Sequence, residues 1–235
     1  MAADPVTLRF VTKQFPPYAY TGPDGRPAGP MVALLQAACA QVDWSCPVRV
    51  LPWRRAYQVI EAGEADGIFP FVNTPDRQAQ YALSPDIVRG RYVLVAKAPR
   101  HGSAEALLQS PGTIAAFGPS EASRTLMGVV SHLPGARPQV EADPDAVLRK
   151  LLAGRYGDHG LGLVNEAVAR WQLTAPQAGE LQTLRVVREF NYGYALLRRP
   201  DHEALARQLA DAFNRLCQAG DTARILQPYA LTAAD

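Results

Sequence analysis

Arg77 is the residue whose position most needs a chemical reason. It closes the stretch Asn73-Thr74-Pro75-Asp76-Arg77, directly after the apolar run Ile68-Phe69-Pro70-Phe71-Val72. The intervening residues are turn formers, because Pro presets φ while Asn and Asp bond their own backbone. Such a turn either leads into a helix with Arg77 solvated on its first turn, or aims the guanidinium at a target. A helix N-terminus favours anions, so an arginine there gains nothing from the macrodipole. Small local conflicts of this kind mark sites. If it is aimed, a planar fork of N–H donors would match a carboxylate in a way that lysine cannot; on these residues alone both readings stay open.

The rest of the sequence offers little to a catalyst. His101, His132, His159 and His202 are scattered without metal-ligand spacing, and no nucleophile elbow, zinc-protease, phosphate-loop or dinucleotide motif occurs. Glu121, Asp158, His159 and Glu166 are the acids and bases available for proton transfer, and no pattern joins them. Arg54 and Arg55 either extend a positive rim or form a solvated helix face. No catalytic residue, metal ligand or cofactor is expected. Three cysteines without a C-x-x-C pair argue against a disulfide framework or a zinc site. Cys39 and Cys46, seven apart across a helix-to-strand connection, either pair in an oxidising compartment or stay as two thiols. Cys217, among apolar residues of a late helix, is expected in the core.

These residues are carried by an alternating pattern. Strands are predicted at 7–11, 48–51 and 67–71, with helices after Gly29 and over 53–62, a β-α-β-α-β run that implies a parallel sheet covered by helices. After a strand at 92–98 the pattern restarts, with strands at 113–117, 139–142 and 161–164. Helices are predicted at 120–129, at 144–153 with Asp143 as its cap, and at 166–172. Short strands at 186–187 and 192–198 precede two closing helices. With 235 residues, 48% of them hydrophobic and a net charge of +2, the chain can fill one or two cores and has no field that calls for nucleic acid. No apolar run approaches the roughly 20 residues of a membrane span.

LRFVTKQFPPYAY before Gly29, ADGIFPFVNTPDRQAQYALS, and NYGYALLRRPDHEALARQLADAFNRLCQAGDTARIL resemble, over nearly the whole chain, the family 3 extracellular solute-binding proteins of polar amino-acid uptake. The resemblance implies an α/β, two-lobed periplasmic-binding-protein-like (type II) fold with two doubly wound sheets. Lobe one would hold residues 1–90 and 189–235, and lobe two residues 91–188. The lobes would close on a ligand in the crevice at the carboxyl ends of the strands. It implies that Arg77 pairs with the ligand carboxylate, and that Phe15, Tyr18 and Trp53 form aromatic walls. The Pro70 carbonyl would accept from a ligand ammonium, while Val72 stands where a Thr or Ser hydroxyl is usual. Ser120 and Glu121 begin a helix whose N–H groups would face the carboxylate.

Asn165 stands where the family commonly has an Asp for the α-ammonium. It can hydrogen-bond an ammonium but cannot neutralise it, and GPMVALL lacks the acid often found in the first helix. The anion half of the site is kept and the cation half eroded, so amine-free acids join amino acids as candidate ligands. The function implied is a monomeric receptor delivering a small carboxylate to an ABC transporter permease. The alternatives are a dehydratase-like enzyme on the same scaffold or the sensing domain of a membrane receptor. MAADPVTLRF has neither a basic nor an apolar signal region. The chain is therefore either cytoplasmic or stripped of its signal peptide, and the resemblance implies the second, in the periplasm.

Overall fold

The computed structural model describes residues 6–98, 104–143 and 145–234; His101 and Pro144 lie outside them. The chain divides into two compact units, residues 1–89 with 190–235, and residues 90–189. In chain order the first unit contains β1 (Phe10–Thr12), the small hairpin β2 (Tyr20–Thr21) and β3 (Pro27–Ala28), α1 (Pro30–Ala40), β4 (Val48–Val50), α2 (Trp53–Glu61), β5 (Gly67–Val72), the single turn α3 (Pro75–Gln78) and β6 (Tyr81–Leu83). β7 (Val88–Lys97) carries the chain into the second unit, which holds α4 (Ala104–Gln109), β8 (Thr113–Phe117), α5 (Glu121–Val130), β9 (Arg137–Glu141), α6 (Ala146–Leu152), β10 (Leu161–Asn165), α7 (Glu166–Gln172) and α8 (Ala175–Gly179). β11 (Leu181–Leu197) returns to the first unit, where α9 (His202–Gln218) and α10 (Asp221–Leu226) follow.

The two units share one plan. In the first, β4, β1 and β5 lie parallel in that order, and β11 joins β5 antiparallel. In the second, β9, β8 and β10 lie parallel in that order, and β7 joins β10 antiparallel. Each unit is thus second, first, third strand, then an antiparallel one. The restart of the β-α-β-α-β pattern is what this repetition looks like in sequence.

Helices on both faces explain why β5 is buried along its whole length. On one face Val11, Ile68 and Phe71 pack with Ala56, Val59 and Ile60 of α2. On the other, Tyr194 stacks 4.4 Å from Phe213 and lies 5.2 Å from Phe69, and its hydroxyl donates to the Met31 carbonyl of α1. Gly67 has no room for a side chain, because a Cβ there would sit 2.2 Å from the Phe10 ring. At the amino end of β5 the buried Asp66 accepts from the backbone and guanidinium of Arg9 and from Arg199. Burial alone would raise its carboxyl. Hydrogen bonds and charge from Arg9, with the charge of His202, instead hold it below its ordinary value. The second unit has its own core of Val93, Val95, Ala115, Val147, Leu148 and Leu151.

Four expectations need correction. The strand expected at 7–11 is displaced to Phe10–Thr12, with Thr7 making only an isolated bridge to Ser45. The two short strands at 186–187 and 192–198 are one 17-residue strand, Leu181–Leu197, because the polar residues Arg188, Glu189 and Asn191 interrupt the apolar pattern without breaking the extended backbone. Asp143 is not the cap residue of α6; Asp145 holds that place, and Asp143 accepts from its N–H instead. Cys217 is exposed rather than core, since α9 turns Leu209, Ala212, Phe213 and Leu216 inward and the next residue falls on the other face. Cys39 and Cys46 form a disulfide with a Cα–Cα distance of 6.3 Å, tying α1 to the segment before β4.

Candidate functional site

In the first unit the parallel strands β1, β4 and β5 end on one edge, with Thr12 level with Val50 and Val11 level with Ile68. The segments that leave this edge carry Lys13 to Tyr18, Trp53, and Arg77. Arg77 lies on the turn of α3, with Thr74 at its N-cap and Pro75 at N1. Its guanidinium carbon sits 4.3 Å from the centroid of Phe71, and Nη1 donates to the Val72 carbonyl at 2.9 Å. Phe71 is itself packed on Tyr81, 5.0 Å between centroids. One N–H of five is thereby used, and the group lies within cation–π range of the ring. No described carboxylate pairs with it. The Thr74 hydroxyl, three residues earlier, is buried without a partner.

Pro70 lies in β5 and has no N–H for the ladder, and the pairing of β5 with β11 slips beside it, between Gly193 and Ala195. Val72 is 5% exposed, level with Tyr192. Phe15 stacks on Tyr18 at 5.1 Å and meets Tyr192 edge-on at 6.0 Å. Tyr18 is fully buried, so it packs against Phe15 and Tyr192 rather than facing solvent. Gly29 makes this possible: with φ +103 it brings α1 so close that a Cβ would lie 2.7 Å from the Tyr18 carbonyl. Trp53 opens α2 and meets Tyr57 edge-on at 5.0 Å. Arg54 and Arg55 are exposed.

Lys13 is the residue that sequence reasoning missed. Its ammonium lies 4.1 Å from the centroid of Phe15 and 5.2 Å from that of Trp53. Burial pushes the amine down from 10.5 to about 8. Two signals could have found it: it directly follows the first strand, and lysine occurs only at 13, 97 and 150 in an arginine-rich chain.

In the second unit the candidate residues are engaged locally. Ser120 caps α5, its hydroxyl accepting from the N–H groups of Ala122 at 3.1 Å and Ser123 at 3.4 Å and donating to the Phe117 carbonyl at 2.6 Å. Glu121 is bridged by Arg188 at 2.6 Å and Arg124 at 3.1 Å. Asn165 caps α7, its Oδ1 accepting from Ala167 and Val168 at 3.0 and 3.1 Å. An Asp would cap equally well, so the cap alone does not explain the Asn. His159 donates from Nδ1 to the Ser110 carbonyl, 2.6 Å away, and is exposed. Among the described residues no group of three His, Cys, Asp or Glu is placed to hold a metal, and no helix is long and apolar enough to cross a membrane.

Comparison with solved structures gives the fold. A histidine kinase sensor domain with similarity to periplasmic binding proteins superposes with a TM-score of 0.79 at 17% identity, over 98% of each chain. A substrate-binding protein of an ABC uptake transporter from Streptococcus pneumoniae with bound histidine gives 0.78 at 18%, over 95% of this chain and 92% of that one. AncCDT-1, an ancestral amino acid-binding protein and precursor of cyclohexadienyl dehydratase, gives 0.75 at 17%, over 95% and 94%. No curated protein sequence matches. The profile of the bacterial extracellular solute-binding proteins, family 3, matches residues 8–232, and this chain belongs to that family.

Proposed function

We propose that this protein is an extracytoplasmic receptor for a small carboxylate, anchored by Arg77 at the carboxyl edge of the first unit's sheet and delivered to an ABC transporter. The observation that carries the reading is the seat of Arg77, its guanidinium carbon 4.3 Å from the Phe71 centroid and one N–H given to Val72, with its other donors unclaimed by any described carboxylate. A guanidinium oriented in advance binds a carboxylate at little further entropic cost. Aromatic surface at Phe15 and Trp53 supplies the apolar part of a small-molecule site. The Cys39–Cys46 bond supports an oxidising compartment such as the periplasm. Pro70, Val72, Ser120, Glu121 and Asn165 belong to the proposal as ligand-facing residues.

A thermal-shift screen of amino acids, dicarboxylates and aromatic acids tests it. A ligand at about 100 times its Kd adds roughly 2.7 kcal/mol. Arg77→Ala should abolish that stabilisation while leaving the unliganded melting within about 0.5 kcal/mol of wild type. Unchanged affinity in Arg77→Ala would refute the anchor.

The likeness to a histidine kinase sensor domain favours a second reading, in which the same binding event drives signalling instead of transport. Stimulation of a co-reconstituted permease's ATPase by the liganded protein would decide for transport. Control of a kinase fused in its natural gene would decide for sensing.

A further inference from the structure

Thr125, Gly128 and Val129 share one face of α5, and His132 continues that face just past the helix end. With Arg185, Val187 and Arg188 of β11 they line a groove of about 500 Å3, wholly within the second unit. Small organic molecules occupy spaces of that order. The stretch from Thr125 to His132 is only about 10 Å long at the helical rise.

The groove carries surplus positive charge beside apolar side chains. The Arg185 side chain makes no ion pair or hydrogen bond with any described residue. Arg188 donates to Glu121 at 2.6 Å, but Arg124 bridges the same carboxylate at 3.1 Å, so two arginines share one acid. Val129 is buried and Val187 partly buried. The Thr125 hydroxyl is buried without a partner, and His132 Nδ1 donates to the Gly128 carbonyl at 2.8 Å.

Gly128 is the informative residue. A glycine inside a helix is less stable than an alanine there. No packing inside the unit requires it, because nothing lies within 4 Å of where its Cβ would be. What the missing side chain does is keep the helical wall of the groove open.

We infer that this groove is a second binding site, for a small organic anion whose carboxylate or phosphate meets Arg185 and whose apolar body rests on Val129 and Val187 over Gly128. An inorganic ion would leave the apolar wall unused. A protein partner would need roughly 800 Å2 of surface rather than a groove of this length. The site is independent of the Arg77 anchor, which belongs to the first unit.

Amide NMR titrations of the whole protein carrying Arg77→Ala, in which the proposed anchor of the first unit is absent, test this. The probes are benzoate and phenyl phosphate, beside benzamide and inorganic phosphate. One of the two organic anions should shift the amides of 125–132 and 185–188 saturably and more tightly than inorganic phosphate does. Its advantage over benzamide should be about 10-fold, the lower end for a hydrogen bond to a charged group. Arg185→Gln, a change at an exposed side chain, should remove that advantage. Gly128→Leu should fill the groove and abolish the shifts while melting no lower than its parent, since leucine favours a helix more than glycine does. The inference falls if neither organic anion moves those amides, or if benzamide or inorganic phosphate binds as well. It falls equally if Arg185→Gln keeps the preference or Gly128→Leu still binds. Tighter binding of a glutamate-rich peptide than of either organic anion would give the groove to a protein partner and overturn the small-molecule assignment. Each of these results leaves the Arg77 reading untouched, because Arg77 is absent throughout.

Discussion

Arg77 and Lys13 are both cations laid on aromatic rings, yet they are prepared differently. The arginine keeps its charge under any condition a protein meets and is aimed by the Val72 carbonyl. The lysine titrates within reach of ordinary buffers, near 8 against its ordinary 10.5. Between those values the unfolded chain binds the Lys13 proton more tightly than the folded one does, so this residue's contribution makes stability rise with pH across that window. Lys13→Met should therefore be more stable than wild type below pH 8, with the gap narrowing toward pH 10.5. Urea unfolding of both proteins at pH 7 and 10 checks it. Asp66 runs the other way. Its depressed carboxyl contributes stability above the usual carboxylate range and loses it as pH falls through its lowered value. Asp66→Asn should cost about 2 kcal/mol at pH 7 and much less in strong acid, measured by the same titration.

At this scale the sequence shows residue type and turn chemistry but not what a side chain rests on. Arg77 was legible because the turn before it is written in Asn, Pro and Asp. Lys13 was not, because Trp53 is brought to it from the end of a different strand, β4, and the fold-back of Phe15 onto it is not written in residue type. Ser120 reads as a cap from the Gly118-Pro119-Ser120 run before its helix, whereas the capping duty of Asn165 was hidden, since a cap and a ligand contact use the same residue types.

Among the elements, those with a strong period or a continuous apolar run were legible. β5 reads as a fully buried strand, and α1 as a helix with its apolar positions inward. What failed was the breakpoint of β11, where polar residues in an extended backbone look like a loop, and the facing of Cys217, where one residue is 100° of helix. Two junctions set the site's frame. Gly29→Ala should destabilise the protein by more than about 1 kcal/mol, because its backbone lies in the left-handed half of φ and its Cβ would strike the Tyr18 carbonyl. Thermal melting checks it, and the aromatic stack of Tyr18 on Phe15 should loosen with it. The Cys39–Cys46 bond closes a short loop at the end of α1, so its removal by Cys39→Ala with Cys46→Ala should cost about 2–3 kcal/mol. Added reductant should mimic that loss in the wild type and leave the double variant unchanged.

For the molecule as a whole, the repeated strand order means that one architectural idea serves twice. Only one copy is continuous in sequence. Residues 90–189 form a unit with its own core, whereas the other unit needs both 1–89 and 190–235. A fragment of residues 90–189 should therefore unfold cooperatively on its own, seen as coincident circular dichroism and fluorescence transitions, while a fragment of residues 1–89 should not.

This discontinuity has a consequence for how the protein is made. A ribosome adds roughly 5–20 residues per second, so the 100 residues of the inserted unit separate the two parts of its host by roughly 5–20 s. For that interval Phe10, Ile68, Phe69 and Phe71 belong to a sheet still lacking β11 and the helix that brings Phe213. The nascent segment is thus an open, apolar β-surface with an unpaired edge, the kind of surface that chaperones shield and neighbouring chains adhere to. Crowded expression should be limited by this first third of the chain, and slowing synthesis would prolong its exposure.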